Sequence, residues 1–494
     1  MKKRSILRVI AMLIALCTLL PCAIACKKED ENKDESNSAT DSFVSTDGNM
    51  NYQFPTGANL GGRTYNILNC YKDQWQQLCL VTSHEILGEA INDAVYKRTV
   101  WLETTLNCKL NEVNVAIGKV QGELDIAIDS GDNSYGVAYM QAKYAATEMM
   151  ANRLTQLDYV ENLRLEEDYW SQQILEASSI NNRHYMAASE AHLQQFDGAW
   201  AVFFNTQTLK NNGIELPYDM VRNHKWTLEQ MITMSRKLAT LNGDDSWDYN
   251  DQGKSRYGFA THWVGISMLL FGVDAQFGAK DLYDMPYLTT STPEFTNKAQ
   301  DIAAFCSELG TFKYATPDTS QPDTVDSLFI NGRIAMGGLQ IYAMNKVMKS
   351  GIEFGIVPFP MYNEDQEDYN VSSSITASFM TIPYGYAYTE DIGLIMDAMS
   401  YEADKTLEQV YYIDHLELKS NEGDYALDNI EMLNLIRGKL SCDTMVISGL
   451  DSSLHTQMCY AVRDGGGTIT STNQQYAPST EIKFQKLRVF FGVK

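Results

Sequence analysis

The chain has 494 residues, 39 Lys and Arg against 63 Asp and Glu, and a formal charge of −24. Such an acid excess excludes nucleic acid or an anionic membrane as a partner held by bulk electrostatics. The length exceeds what one compact core serves and calls for two or three domains.

Lys2, Lys3, Arg4 and Arg8 precede an apolar run from Val9 to Ala25, the layout of an export signal. With Thr18 and Pro21 inside it, the run is marginal for a bilayer helix. It ends in Ala23, Ile24, Ala25 and Cys26, which resembles the bacterial lipobox with Ala23 where Leu is usual. That resemblance implies cleavage before Cys26 and a lipid on its thiol that enters the bilayer; a plain secretory signal or a retained anchor is the alternative. Each places the chain outside the cytoplasm. Lys27 to Asp41, "KKEDENKDESNSATD", has almost nothing apolar to bury and reads as a solvated tether. Residues 1–25 are therefore expected to be a signal peptide and 26–55 a tether. Losing the four basic residues of the signal takes the formal charge from −24 to −28. Six further cysteines, Cys70, Cys79, Cys108, Cys306, Cys442 and Cys459, include no CxxC pair. They suit either disulfides or small buried positions.

Tyr65, Ile67 and Leu68 follow Gly61 and Gly62 as a short strand, and Ile86 to Leu102 then repeat near the helical period. "LDIAID" (Leu124 to Asp129) reads as a strand or a buried apolar run, "YGVAYM" (Tyr135 to Met140) likewise, and Tyr144 to Leu157 as a helix. Strand and helix in alternation predict an α/β sheet with parallel neighbours, and ligands of such sheets collect beyond the carboxyl ends of the strands. Further on, Val202 to Phe204 form a buried strand ending at Asn205, and a short helix stops at Gly213. Thr227 with Gln230 makes a capping box before Leu228, Met231, Ile232, Ser235, Leu238 and Ala239. "VRDGGGTITSTNQQY" reads as a loop around Gly465, Gly466 and Gly467.

Phe203, Phe204, Asn205, Gly213, Ile214, Pro217, Trp226 and Thr227 together resemble the hallmark of the family 1 extracellular solute-binding proteins that feed ABC importers. Their pattern is an aromatic strand ending in "YN", a helix, a Gly-Ile step, a proline and a tryptophan-threonine helix start. "YGFATHW" (Tyr257 to Trp263), "LFINGRIAMGGLQIY" (Leu328 to Tyr342), "FGIVPFP" (Phe354 to Pro360) and "GEAINDAVYKR" (Gly88 to Arg98) resemble further family stretches in the right order. The resemblance spans roughly residues 60 to 410 and fades past Leu416. It implies a two-lobed α/β fold of the type II periplasmic-binding-protein kind, with an interlobe ligand cleft and hinge crossings near Gly198 to Val202 and Ser372 to Phe379. Lobe one would hold 56–199 with about 378–425, and lobe two 200–377 with about 426–494. It also implies a monomer that closes on a polar solute and presents the closed form to the transmembrane subunits of an ABC permease.

Sugars need flat apolar faces and short polar side chains, and the chain carries 28 Tyr and 7 Trp. At loop positions after strands the candidates are Tyr71, Asp73, Trp75, Tyr139 and Gln141. At the crossing and beyond they are Asp197, Trp200, His262, Trp263, Gln340 and Tyr342, with Trp263 and Trp200 foremost. Asp248, Asn250 and Gly253 occupy three positions of a calcium loop, but Gln252 and Phe259 fail two others, so no metal is expected. No cofactor motif occurs. A surface glycan-binding lipoprotein without a transporter is an alternative, and a glycoside hydrolase using Glu190 beside His192, or Asp125 and Asp129, a weaker one. His84 opens a failed HExxH, with Gly88 in place of the second histidine.

Overall fold

The computed structural model describes residues 52–71, 79–116, 118–373, 377–411, 425–451 and 453–493. The signal peptide, Cys26, nearly all of the tether, Asp73, Trp75 and part of the Ser372–Phe379 crossing lie outside the described residues. Among those described are strands β1 Arg63–Tyr71, β2 Cys108–Ala116, β3 Tyr135–Gln141, β4 Trp200–Asn205, β5 Tyr257–Thr261, β6 Gly278–Lys280, β7 Pro286–Leu288, β8 Phe312–Tyr314, β9 Ile334–Gln340, β10 Phe354–Val357, β11 Val371–Ser372, β12 Ser378–Thr381 and β13 Leu440–Ser441.

Two mixed sheets result, ordered β12-β3-β1-β2 and β10-β4-β9-β5-β8. In the first, β1 runs parallel to β2 and β3 while β12 is antiparallel to β3. The second repeats that plan, with β5 parallel to β8 and β9 and β4 antiparallel to β9. In each sheet the antiparallel strand is the first to arrive after the chain has left the other sheet. This exchange divides the molecule into two lobes while residues 52–494 remain one compact unit.

Local chemistry fixes the elements around the first exchange. Phe203 and Phe204 are fully buried in β4, and the Asn205 side chain accepts the Thr208 N–H at 2.7 Å to start helix Thr206–Asn211. That helix is followed by Gly213 at φ +64°. Thr227 caps helix Leu228–Leu238, and the buried Trp226 indole donates to Pro358 O at 2.9 Å. The tryptophan-threonine and "PFP" stretches are thus one packed unit.

Three expectations need correction. "LDIAID" belongs to helix Val120–Asp129: Leu124 and Ala127 are buried while Ile126 between them is 66% exposed, a one-sided burial that only the helical period produces. The helix expected through Leu157 ends at Met150, and Asn152 is left-handed at φ +57°. The expected C-terminal loop is confined to the glycines, because Ile469–Phe491 is a helix with Pro478 inside it.

The C-terminal segment also braces the second exchange. Asn429 on helix Ala426–Gly438 accepts from Tyr218 OH (2.8 Å) and Ile356 N (3.0 Å) beside β10. β13 pairs with β11, and helix Thr444–Ser448 lies against helix Ala142–Met150 on one side and β6 on the other.

Candidate functional site

The residues Ser189 to Trp200 lead from the first lobe into β4, and they carry the polar groups that the two sheets bring together. On the second lobe, Trp200 opens β4 in register with Gln340, the last residue of β9. His262 follows β5, caps the next helix by accepting the Val264 N–H at 3.2 Å, and sets its ring edge-on to Trp200 at 5.2 Å. The Ile341 N–H donates to Ala199 O at 2.9 Å, which holds the turn carrying Tyr342 beside the crossing. Buried Asp197 accepts the Tyr411 hydroxyl at 2.8 Å. Burial, then the charges of Asp326 and Asp197, push the Tyr342 phenol up. Five expected residues, Asp197, Trp200, His262, Gln340 and Tyr342, are therefore neighbours around one crossing.

On the first lobe, Tyr139 stacks on His192 with ring centres 4.7 Å apart and planes 24° from parallel. Gln141, ending β3, is in register with Ser378 of β12, whose N–H donates to Gln194 Oε1 at 3.3 Å. Gln141, His262 and Gln340 end or follow β3, β5 and β9, the carboxyl-end placement expected of parallel strands. Trp263 lies apart from this arrangement: it packs edge-on against His455 and Tyr460 of helix Leu454–Arg463 at 6.0 and 6.4 Å.

Several buried polar atoms around the crossing have no hydrogen-bond partner among the described residues: Tyr139 OH, His192 Nδ1 and Nε2, Gln194 Nε2, Gln195 Oε1 and Trp200 Nε1. An unsatisfied buried polar group costs about 1–3 kcal/mol, so a cluster of them is expensive unless ordered water or a polar ligand completes it. Burial, helped by the Arg98 charge, lowers the His192 imidazole to about 3, and burial alone lowers His262 to about 4. Both rings are neutral at ordinary pH: His192 offers one N–H donor and one acceptor nitrogen, whereas His262 Nδ1 is taken by the Val264 N–H and its Nε2–H is left as a donor. Burial raises the Tyr139 phenol, which stays a hydroxyl. Neutral two-way hydrogen bonders beside aromatic faces can grip a hydroxyl-rich molecule.

Sequence reading missed Gln194, Gln195 and Tyr411, and gave His192 a role only beside Glu190. "SEAHLQQFD" has no period to mark a buried face, and the polarity of its glutamines suggests solvent. Glu190 instead accepts from Arg437 at 2.8 Å. Asp125 and Asp129 share Arg153 at 3.4 and 3.0 Å, which makes them part of an ion-pair network between helix Val120–Asp129 and the segment after helix Ala142–Met150. The six cysteines form no disulfide among the described residues, and five of them are buried. In the loop once compared with a calcium site, Asp244 accepts the Lys254 and Ser255 N–H groups at 2.6 and 2.7 Å.

No family model matches the sequence, and no curated protein does. Solved structures do resemble it. The GacH receptor of Streptomyces glaucescens, studied unliganded and with acarbose, is 13% identical over 88% of this chain and 100% of that one, with a TM-score of 0.54. An ABC substrate-binding protein from Listeria monocytogenes in complex with cycloalternan is 12% identical over 88% and 100%, at 0.53. An extracellular solute-binding protein from Staphylococcus aureus in complex with maltose is 12% identical over 86% and 98%, at 0.56. With its paired sheets and exchanged strands, the chain has the two-lobed α/β fold of these periplasmic-type binding proteins.

Proposed function

We propose that this chain is the lipid-anchored, extracytoplasmic solute-binding component of an ABC importer, and that it takes an oligosaccharide by closing its two lobes. The observation that carries the reading is the set of buried side-chain atoms of His192, Gln194, Gln195 and Trp200 that have no hydrogen-bond partner among the described residues, in the segment where the chain crosses between sheets. Similar folds hold acarbose, cycloalternan and maltose in their structures, which supports a carbohydrate. In this reading lobe one comprises 56–199 with about 378–425, and lobe two 200–377 with about 426–494. Asp197, Trp200, His262, Gln340, Tyr342 and Tyr139 contact the sugar; Trp263, Asp73 and Trp75 are further candidates. A ligand that touches both lobes only in the closed form shifts the population toward it. No enzymatic role enters this reading.

The test is a melting-temperature screen of the purified chain against maltose, maltotetraose, acarbose and cycloalternan, with small-angle scattering on any hit. A ligand at a hundred times its Kd should add about 2.7 kcal/mol of stability, and the radius of gyration should fall. Trp200→Phe, which keeps an aromatic face but loses the indole N–H, should weaken binding about tenfold. A panel that leaves the melting temperature unmoved ends the carbohydrate reading. Binding with an unchanged radius of gyration favours a glycan-docking lipoprotein over an importer component.

Anchoring is checked separately. Cys26→Ala should move the protein from the membrane fraction to the medium or soluble fraction and leave sugar affinity unchanged. Retention of the variant on membranes would exclude a thiol-linked lipid as the anchor. The tether, about 100 Å at full extension, would leave both lobes free to move beside a permease.

A further inference from the structure

The "GEAINDAVYKR" stretch supplies the first turns of helix Ala90–Leu106, and its buried polar side chains act outside that helix. Asn92 donates to Glu85 O at 2.8 Å and accepts from Ser83 Oγ at 2.9 Å. Asp93 accepts the Leu87 and Gly88 N–H groups at 2.9 and 3.1 Å, and Thr99 just beyond accepts the Ser83 N–H at 3.2 Å. These contacts fix the segment 81–88 to the helix.

Arg98 reaches further. Its guanidinium is 1% exposed and donates to two backbone carbonyls, Val81 O at 2.6 Å and Ala191 O at 3.4 Å. It forms no ion pair among the described residues, and its Nε has no partner there. Glu402 and Glu112 act on it only through their charge. Burying an arginine without a carboxylate partner costs several kcal/mol, so packing alone does not account for it. The carbonyl it holds belongs to the residue just before His192.

We propose that Arg98 is a positioning residue of the sugar site: by tying Ala191 O to Val81 O it holds the His192 ring flat on Tyr139, with both buried ring nitrogens left uncommitted for ligand hydroxyls. The proposal rests on the carbohydrate-binding reading above. Three observations converge on it: the fork of Arg98 on two separate backbone segments, the parallel stack of His192 on Tyr139, and the lack of a partner for His192 Nδ1 and Nε2 and for Tyr139 OH. The positive charge of Arg98 also opposes protonation of His192, which preserves the acceptor nitrogen that an imidazolium would lose. Lysine does not reproduce the fork, because its three N–H donors radiate from one nitrogen and lack the planar spread of Nη1 and Nη2.

The test is a double-mutant cycle on the full chain, with affinity for the tightest-binding member of the four-sugar panel measured by calorimetry. His192→Gln and Arg98→Lys should each weaken binding about tenfold, and the double variant should lose no more than either alone, because the two changes remove one interaction. In wild type the His192 ring ¹⁵N resonances should shift on sugar addition; in Arg98→Lys that shift should shrink. A hundredfold loss in the double variant, or wild-type affinity in Arg98→Lys, overturns the proposal. If Arg98→Lys does not fold, Arg98→Gln, which still offers a donor to Ala191 O, takes its place in the cycle. Wild type that binds none of the four sugars defeats the carbohydrate reading and this proposal with it, whereas sugar binding with an additive cycle defeats this proposal alone.

Discussion

Asp397→Ala should lower the unfolding free energy by about 4 kcal/mol, within the range for breaking a buried charged pair. Asp397 is fully buried on helix Thr389–Gln409. Its Oδ2 accepts from Tyr52 OH and Tyr169 OH, both at 2.9 Å, and from Arg164 Nε and Nη2 at 3.0 and 2.7 Å. Its Oδ1 accepts from the Arg164 N–H at 2.9 Å and the Trp170 indole at 3.4 Å. Removing the carboxylate orphans two phenols, an indole N–H and a backbone N–H at once. The Arg164 side chain is about a third exposed, so water rescues part of that loss and the estimate stays below the sum of the orphans. Asp397→Asn should cost less, since an amide oxygen still accepts. The same carboxylate ties Tyr52, where the described chain begins, to its helix, and Tyr52 also packs edge-on to Phe54 and Tyr401 at 4.5 and 5.4 Å. Urea unfolding of wild type and both variants decides the matter. A loss below about 1 kcal/mol for alanine would show that the six contacts contribute little net stability.

Gly449→Ala should destabilise by about 3 kcal/mol, from two causes that a control separates. Gly449 ends helix Thr444–Ser448 at φ +68°, and a Cβ in the left-handed region costs about 1–2 kcal/mol. That Cβ would also lie 2.4 Å from Lys143 C and O in the helix that follows β3. Backbone cannot swing aside as a side chain can, so the C-terminal segment must shift against that helix. Gly213 has nearly the same backbone, φ +64°, with nothing within 4 Å of its would-be Cβ. Gly213→Ala therefore measures the backbone cost alone. Equal losses at the two positions would mean that the C-terminal segment yields to the added Cβ beside Lys143 at no further cost.

Part of this architecture is legible in the chain itself. The Val202 to Phe204 strand ending at Asn205, the stop at Gly213 and the helix start at Thr227 each depend on residues within a few positions of one another, and the structure keeps all three, with Thr227 accepting the Gln230 N–H. "LDIAID" failed because a short apolar run reads alike as strand or helix until burial shows which side chains share a face. The start of the C-terminal helix reads as a loop because Gly465 to Gly467 stand just before it, while Ile469, Ala477, Thr480, Phe484 and Leu487 are buried along it. Among candidate site residues, those beside strand ends came together, whereas Trp263, one residue past His262, turned to helix Leu454–Arg463.

By itself the sequence determined the acidic character, the strand-helix alternation behind the parallel pairs of each sheet, and local strand ends and a helix cap, because these follow from composition and from contacts close along the chain; the antiparallel strands that make both sheets mixed come from the exchange between lobes. Only the tertiary structure decided which polar residues face one another across the crossing. His192 stacks on Tyr139, 53 positions earlier in the sequence, and Arg98 reaches Ala191 from a distant helix. No period or spacing encodes such meetings, since they depend on how two sheets exchange strands and on the burial that leaves a histidine neutral and unpartnered beside an arginine.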